Sequence, residues 1–250
     1  MKRFEGQVAV ISGGADGLGK GIAERIALEG GAVALFDTNR QLLDNAVDEF
    51  KSKGFDASGY IVDVSSEEMV SQSFVQVEVA YGKIDIMINS AGVVGPTSTK
   101  ITDYPTDAFD KIYAVNLRGT FLMAKYALKA MEKKKYGRVL LIASIAGKEG
   151  NPGMVGYSST KAGVIGLVKG IGKEYAESGI TVNGLAPAVI KTTMNENTDP
   201  KQLEYMLAKI PMKRLGTIEE VAALSAWIVS EECSFNTGFV FDISGGRATY

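Results

Sequence analysis

The side chains best suited to acid–base chemistry are a tyrosine and a lysine four residues apart, Tyr157 and Lys161. Residues at this spacing share one face of an α-helix, so the two side chains should be neighbours if the segment is helical. A tyrosine with its ordinary pKa of about 10 is a poor base at neutral pH, but a nearby ammonium group favours the phenolate. The pair is therefore a candidate general acid/base. The alternative is a surface tyrosine beside a solvated lysine.

The chain has 250 residues, with no histidine and one cysteine, Cys233. The missing histidine excludes a Ser-His-Asp triad, a Cys-His pair and zinc sites with histidine ligands, and we expect no metal. A single cysteine cannot form an intrachain disulfide, which is typical of a reducing compartment. We interpret Cys233 as a packing residue.

A glycine-rich loop near the start of the chain predicts a dinucleotide site. It reads Ser12-Gly13-Gly14-Ala15-Asp16-Gly17-Leu18-Gly19, between a predicted strand and a predicted helix. Its glycines permit a tight turn and close approach of a pyrophosphate, whose charge the helix N-terminus stabilises. The alternative is an ordinary tight turn between strand and helix.

The end of the second predicted strand indicates which dinucleotide binds. Asp37 stands there, where a carboxylate can bind the ribose hydroxyls of NAD and repel the 2′-phosphate of NADP. Asp16 adds negative charge to the loop, whereas Arg40 is the one feature that favours NADP. We predict NAD. Asp37 could instead be a helix N-cap, although Asn39 is the better candidate for that role.

Short apolar runs alternate with longer amphipathic segments along the whole chain. Strands alternating with helices indicate βαβ units and a parallel sheet covered on both faces. The prediction is an α/β fold, a single-domain Rossmann-type doubly wound parallel sheet of about seven strands spanning residues 1–250. Residues 189–213 are the least regular segment and are a candidate substrate lid. Predicted strands cover 7–12, 32–36, 57–62, 84–88, 138–143, 181–185 and 238–243, and predicted helices cover 17–29, 40–52, 67–81, 106–133, 155–177 and 218–229.

Composition limits the classes of partner. Hydrophobic residues make up 46% of the chain and charged residues 22%, as in soluble globular proteins. A net charge of −2 provides no basic field for nucleic acid. No apolar window approaches the roughly 18 residues of a membrane span, and the first residues lack the apolar core of a signal peptide. We expect a cytoplasmic protein that acts on a small molecule.

The loop spacing is G-x-x-x-G-x-G, and Tyr157-Ser158-Ser159-Thr160-Lys161 follows downstream. In this combination, and over essentially its whole length, the sequence resembles the short-chain dehydrogenase/reductases. The resemblance implies a catalytic set of Asn116, Ser144, Tyr157 and Lys161. Ser144 would stabilise charge on the substrate oxygen, and Asn116 would hold a water that joins Lys161 to solvent. It also implies cofactor contacts by Ser12, Gly13, Asp16, Gly17, Leu18, Gly19, Asp37, Asp63, Val64, Asn89, Ala91, Gly92, Tyr157, Lys161, Pro187, Val189, Ile190 and Thr192.

Three positions depart from the family pattern. Ser12 stands where threonine is usual, which keeps the hydroxyl. Ser90 replaces the second asparagine of the turn after the fourth strand, which puts one side-chain contact in doubt. Ala188 follows Pro187 where the family commonly has glycine; because alanine disfavours positive φ, the backbone at Val189 could follow another path.

The loop from Ser144 to Asn151 and the last residues of the chain resemble a subgroup, the dehydrogenases of deoxy sugars and of 2-keto-3-deoxy sugar acids such as 2-keto-3-deoxy-L-fuconate. A carboxylate substrate needs a fixed cation, and Lys148 and Arg247 are the candidates. Glu149 and Asn151 are candidates for binding substrate hydroxyls. The alternative is that Lys148 is a surface charge and Arg247 a structural salt-bridge partner.

Two other functions remain open. An NADPH-dependent 3-oxoacyl-[acyl-carrier-protein] reductase would share the fold and the catalytic set, although Asp37 and Asp16 speak against it. A non-catalytic NAD-binding regulator would bind NADH and turn over nothing. The family resemblance further implies self-association, commonly as a homotetramer, through helices 106–133 and 155–177 and the last strand.

Overall fold

The computed structural model describes residues 2–192 and 200–250. In this part of the chain, seven parallel strands form one sheet in the order β3-β2-β1-β4-β5-β6-β7. The strands are β1 (Val8–Ser12), β2 (Ala32–Asp37), β3 (Ala57–Ile61), β4 (Ile86–Asn89), β5 (Gly137–Ile142), β6 (Ile180–Pro187) and β7 (Val240–Ile243). The α-helices are α1 (Gly17–Leu28), α2 (Arg40–Ser52), α3 (Glu67–Tyr81), α4 (Thr106–Ile112), α5 (Gly119–Glu132), α6 (Ile145–Glu149), α7 (Val155–Glu174), α8 (Pro200–Ala208) and α9 (Ile218–Ile228).

The apolar runs form strands that are buried on both faces. Every residue of β1 and of β5 is buried, as expected when helices cover both sides of a parallel sheet. Alternate residues of each strand enter one of two cores: Val10 and Leu141 pack with α3, α5 and α7, whereas Ile11 and Leu140 pack with α1, α2 and α9. The predicted fold class is confirmed as a Rossmann-like α/β domain.

The order of the strands indicates where on the sheet a ligand would bind. The chain passes from β1 outward to β2 and β3, then returns to place β4 on the other side of β1. Connections after β1 and β4 therefore diverge, and a crevice opens at the carboxyl ends of these strands, where α/β proteins bind ligands.

The predicted helix 106–133 is one helical stretch with an irregular turn inside it. A π-helical turn, Tyr113–Arg118, separates α4 from α5. Directly after it, Gly119 packs on the segment that follows β3: a Cβ at Gly119 would lie 2.8 Å from Val64 Cγ2. Such π turns are frequent at functional sites, and this one contains Asn116.

Two short helices differ from the sequence prediction. Helix α6 lies in a region predicted as loop, because five residues are too few to show a helical period. Helix α8 lies within the segment 189–213 interpreted as a lid. Residues 193–199 of that segment lie outside the described residues. Along 2–192 and 200–250, no helix combines the length and apolarity needed to cross a bilayer.

Candidate active site

The glycine loop forms a tight turn at the N-terminus of α1 that is open on one side. Gly13 and Gly17 both have positive φ, +63° and +55°, which glycine adopts without strain. A Cβ at Gly19 would lie 2.0 Å from the Gly13 carbonyl oxygen, so no side chain fits there. A Cβ at Gly17 would meet no atom within 4 Å among the described residues. The turn is thus closed on its inner side and open on its outer side, which fits the pyrophosphate of a dinucleotide.

Asp37 is held beside this loop by two backbone donors. Its Oδ2 accepts from the Ala15 amide at 3.2 Å, and its Oδ1 accepts from the Asn39 amide at 3.0 Å. The N-cap of α2 is Asn39, whose side chain accepts from Leu42, so the preferred cap assignment is confirmed. The Asp37 carboxylate is left fixed at the end of β2, next to the glycine loop. Arg40 is exposed in the first turn of α2.

The ends of β1 and β4 are joined by side chains. The Ser12 hydroxyl donates to Asn89 Oδ1 at 2.7 Å and accepts from the Ala91 amide at 3.2 Å. A Cβ at Gly92 would lie 3.3 Å from Asn116 Oδ1 and 3.6 Å from Lys161 Nζ. The glycine therefore allows the loop after β4 to reach the side chains of α7 and of the π turn.

The remaining predicted cofactor residues lie at neighbouring strand ends. Asp63 Oδ1 accepts from the amide of Ser65 at 2.8 Å and from its hydroxyl at 2.7 Å, which closes the turn after β3. Val64 is buried next to Gly119. After Pro187 the Ala188 amide donates to the Ile243 carbonyl at 3.0 Å, so alanine in place of glycine keeps this segment tied to β7. Val189 and Ile190 pair with Gly216, and Thr192 borders the undescribed segment.

Ser144, Tyr157 and Lys161 are brought together by close packing of α6 on α7. A Cβ at Gly147 would lie 2.6 Å from the Lys161 carbonyl carbon, so the two helices touch backbone to backbone. Ser144 is the N-cap of α6, where its hydroxyl accepts from Ala146 at 3.1 Å. Lys161 Nζ donates to the Ile142 carbonyl at 2.8 Å and lies 5.7 Å from the centroid of the Tyr157 ring.

Burial dominates the electrostatics of this trio. Burial lowers the pKa of Lys161 to about 8, because the ammonium loses its hydration. Burial raises the pKa of the Tyr157 phenol, and a hydrogen bond with the Ser144 hydroxyl acts in the opposite direction. The sequence led us to expect a lowered pKa for Tyr157 because of Lys161. The direction differs because the loss of hydration of the phenol outweighs the favourable groups around it, and Lys161 Nζ is bonded to the Ile142 carbonyl.

Asn116 is fully buried in the π turn and grips the loop after β4. Its Oδ1 accepts from the Val93 amide at 2.8 Å, and its Nδ2 donates to the Val93 carbonyl at 2.9 Å. Nδ2 also lies 3.4 Å from Thr160 Oγ1, one residue before Lys161. Asn116 thus links three segments of the site through its side chain.

The four candidate substrate residues lie together, but their charges pair with nearby groups. Lys148 Nζ forms an ion pair with Asp242 at 2.9 Å and donates to the main-chain oxygen of Tyr250. The Arg247 guanidinium forms an ion pair with Glu149 at 2.8 Å and donates to Asn151 Oδ1 at 3.1 Å. These contacts tie the tail, residues 244–250, to α6 and the loop after it. The contacts therefore favour a structural ion-pair role for Arg247, and also for Lys148, over binding of a substrate carboxylate.

Asp242 and Tyr250 were not singled out in the sequence. Asp242 lies on β7 and Tyr250 in the tail, both far along the chain from Lys148, and no local pattern indicates the contact. Asp242 also borders a cavity of about 400 Å³. That cavity is lined in part by Ala188, Val189 and Ser244, next to the segment that leaves β6. Within the described ranges, no cluster of three or more acidic or cysteine side chains could hold a metal ion.

Comparisons with known proteins agree with this geometry. The family model described as enoyl-(acyl carrier protein) reductase matches residues 13–248. The chain is 43% identical to 2-dehydro-3-deoxy-L-rhamnonate dehydrogenase (NAD(+)) of Sphingomonas sp. (strain SKA58), covering 99% of this chain and 98% of that protein. It is 34% identical to a 3-oxoacyl-[acyl-carrier-protein] reductase of Thermotoga maritima, over 98% of each. Among solved structures, NAD⁺-bound xylitol dehydrogenase is similar with a TM-score of 0.93 and 33% identity, over 98% of this chain and 100% of that one.

Proposed function

The chain belongs to the short-chain dehydrogenase/reductase family, and we propose that it oxidises a secondary alcohol of a deoxy sugar acid with NAD⁺ as hydride acceptor. The observation that carries the proposal is the fixed Asp37 carboxylate beside an open glycine turn, on the same edge of the sheet as Ser144, Tyr157 and Lys161. A carboxylate in this position suits the ribose hydroxyls of NAD and repels the phosphate of NADP.

The residues that would hold the cofactor follow from the site. The turn at Gly13, Gly17 and Gly19 would receive the diphosphate and Asp37 the adenosine ribose. Asp63 and Val64 would meet the adenine, and Asn89, Ala91 and Gly92 would line the way from the diphosphate towards Lys161. Lys161 would hold the nicotinamide ribose. Residues 187–192 would contact the nicotinamide. When bound, the nicotinamide ring supplies the hydride acceptor for oxidation and the hydride donor for reduction.

Proton transfer is assigned to the chain's own groups. In the oxidation, the Tyr157 phenolate accepts the proton of the substrate hydroxyl, and the Ser144 hydroxyl donates a hydrogen bond to the substrate oxygen. The Lys161 ammonium favours the phenolate by its charge once it is free to face it. Burial raises the pKa of Tyr157, so the phenolate forms more readily as pH rises and oxidation should speed up. The gain should lessen above about pH 8, because burial lowers the pKa of Lys161 to about 8 and its positive charge is lost there.

A deoxy sugar acid is proposed as substrate because the relative at 43% identity is named for one. The paired Lys148 and Arg247 are proposed to hold the tail against the site wall rather than to clamp the carboxylate. Residues 189–213 are proposed as the lid, anchored at its far end where the Met212 amide donates to the Gly245 carbonyl at 3.1 Å.

The test is a panel of initial rates with NAD⁺ and NADP⁺ against 2-keto-3-deoxy sugar acids, neutral sugars and simple secondary alcohols. We expect the highest kcat/KM for a deoxy sugar acid with NAD⁺. Higher rates with NADPH and a 3-oxoacyl thioester would replace the proposal with the carrier-protein reductase. NADH binding with no turnover of any substrate would replace it with a regulator. Asp37→Asn, which removes the charge and keeps the shape, is the matched control for the cofactor preference.

We also propose that the chain assembles into a homotetramer. A groove of about 430 Å³ between the π turn and α7 is lined by Tyr113, Phe121 and Leu167 among others, and both aromatic rings are 46% exposed. A second apolar surface lies along β7, the edge strand of the sheet, where Phe239 directly before the strand is 56% exposed. Exposed apolar surfaces of this kind are typical of protein interfaces. Light scattering after gel filtration should give four times the 26.6 kDa of the chain; a monomeric mass would contradict the assembly.

A further inference from the structure

One buried hydroxyl connects the dinucleotide loop with the π turn. Thr120 lies in the first turn of α5 and is 1% exposed. Its Oγ1 accepts from Asn89 Nδ2 at 2.8 Å and donates to the Asn116 carbonyl oxygen at 2.6 Å. The direction of both bonds is fixed by chemistry, since a carbonyl only accepts and an amide nitrogen only donates.

The contacts continue at both ends. Asn89 Oδ1 accepts from the hydroxyl of Ser12, which opens the glycine loop. Asn116 grips the backbone of Val93 with both polar atoms of its side chain. An unbroken hydrogen-bonded chain therefore runs from Ser12 through Asn89 and Thr120 to Asn116 and the loop beside Lys161.

We propose that Thr120 is a positioning residue whose hydroxyl fixes the conformation of the π turn. The fixed turn places the Asn116 side chain, which in turn positions the loop at Val93 and the segment of α7 that carries Lys161. This inference rests on the proposed dehydrogenase function. A π turn is rare and of poorer hydrogen-bond geometry than an α-helical one, and an additional donor on the Asn116 carbonyl stabilises that turn. The same hydroxyl satisfies the Asn89 amide. Asn89 Oδ1 is bonded separately to Ser12, so loss of the Thr120 hydroxyl should disturb the π turn more than the glycine loop.

The test removes the hydroxyl and keeps the shape. Thr120→Val should lower kcat by about 10- to 100-fold, the scale of small misplacements in a catalytic site, while KM for NAD⁺ and the Kd for NADH stay within about threefold. Thr120→Ser keeps the hydroxyl and should restore kcat. Thr120→Cys keeps a weak donor in a similar volume and should give an intermediate kcat, which keeps the test decisive if the valine variant fails to fold.

The matched control is Thr181→Val. Thr181 is also a buried threonine, on β6, but its hydroxyl has no hydrogen-bond partner among the described residues. The same chemical change there should leave kcat and both cofactor constants at parental values. Parental kcat in Thr120→Val, or in Thr120→Cys if only that variant folds, would overturn the proposal. So would a serine variant as slow as the valine variant, because the methyl group would then be the important part.

A second readout separates this inference from the proposed function. The Val93 amide donates to Asn116 Oδ1, so its hydrogen exchange reports on the position of Asn116. We expect faster exchange in a peptide covering residues 91–95 for Thr120→Val, and parental exchange for Thr181→Val. If the parent oxidises no alcohol, the proposed function fails. The positioning role of Thr120 is overturned by a different result, unchanged hydrogen exchange at Val93 in Thr120→Val.

Discussion

Replacing Lys161 with methionine should change how stability depends on pH. The lysine is 5% exposed, and burial lowers its pKa from 10.5 to about 8. Methionine fills a similar volume without a titratable group. Below pH 8 both the folded and the unfolded parent carry the proton on Lys161, so the cost of burying the ammonium is fully present.

The change in unfolding free energy with pH depends on how many protons the folded and unfolded states bind. Between pH 8 and 10.5 the folded state has released the proton of Lys161 while the unfolded state still binds it, so stability must rise with pH. A shift of this size corresponds to about 3 kcal/mol. Relative to Lys161→Met, the parent should therefore gain about 3 kcal/mol of unfolding free energy over this window. The lost bond to the Ile142 carbonyl shifts the two curves by a nearly constant amount and cancels in the comparison.

The assay is urea unfolding of parent and variant at half-unit steps from pH 7 to 10.5, in one buffer series of constant ionic strength. Thr181→Val, which changes a buried side chain without touching a titratable group, should differ from the parent by the same amount at every pH. A difference between parent and Lys161→Met that stays flat, or that favours the variant more as pH rises, would refute a buried lysine with a lowered pKa.

Three other changes test the site by substitution. Tyr157→Phe should reduce kcat by at least about 100-fold with the Kd for NADH within about threefold; turnover within a few-fold of the parent would remove Tyr157 from the mechanism. Asp37→Ala should raise the NADP⁺ to NAD⁺ ratio of kcat/KM by about 10- to 100-fold, which corresponds to about 1.4–2.7 kcal/mol, because the carboxylate no longer repels the 2′-phosphate; a parent that already prefers NADP⁺ refutes this. Arg247→Ala should lower the unfolding free energy by about 2 kcal/mol, since Glu149 loses a charged donor, and KM for an acid and for a neutral sugar should change together. A rise in KM for the acid alone would instead make Arg247 the carboxylate clamp.

The part of the site that depends on local spacing could be predicted from the sequence. Tyr157 and Lys161 lie on one helix, the glycine loop stands between β1 and α1, and Asp37 ends β2. Each of these follows from periodicity and from the conformations open to glycine. The sheet follows as well, because buried parallel strands show as short apolar runs.

Other features depend on contacts that no local pattern carries. The π turn around Asn116 adds a residue to a turn whose composition suits an ordinary helix. The raised pKa of Tyr157 reflects the loss of hydration around its phenol, which spacing along the helix does not reveal. The ion pairs of Lys148 and Arg247 join segments about a hundred positions apart, so sequence analysis could identify the charges and not their partners.

The contacts of Lys148 and Arg247 with distant residues can form only late in synthesis. Lys148 leaves the ribosome well before Tyr250, 102 positions later, and at about 5–20 residues per second that interval lasts roughly 5–20 s. For this time the wall formed by α6 has no tail to hold it. Once β6 has been made, its outer edge has no β7 to pair with until Val240–Ile243 follows. The nascent chain can already form β1 to β5 and the glycine turn, so the part of the cofactor site at the glycine turn and Asp37 can form before the substrate wall is complete. Slow translation between these two points would prolong an unpaired strand edge, the feature most prone to aggregation in a growing parallel sheet.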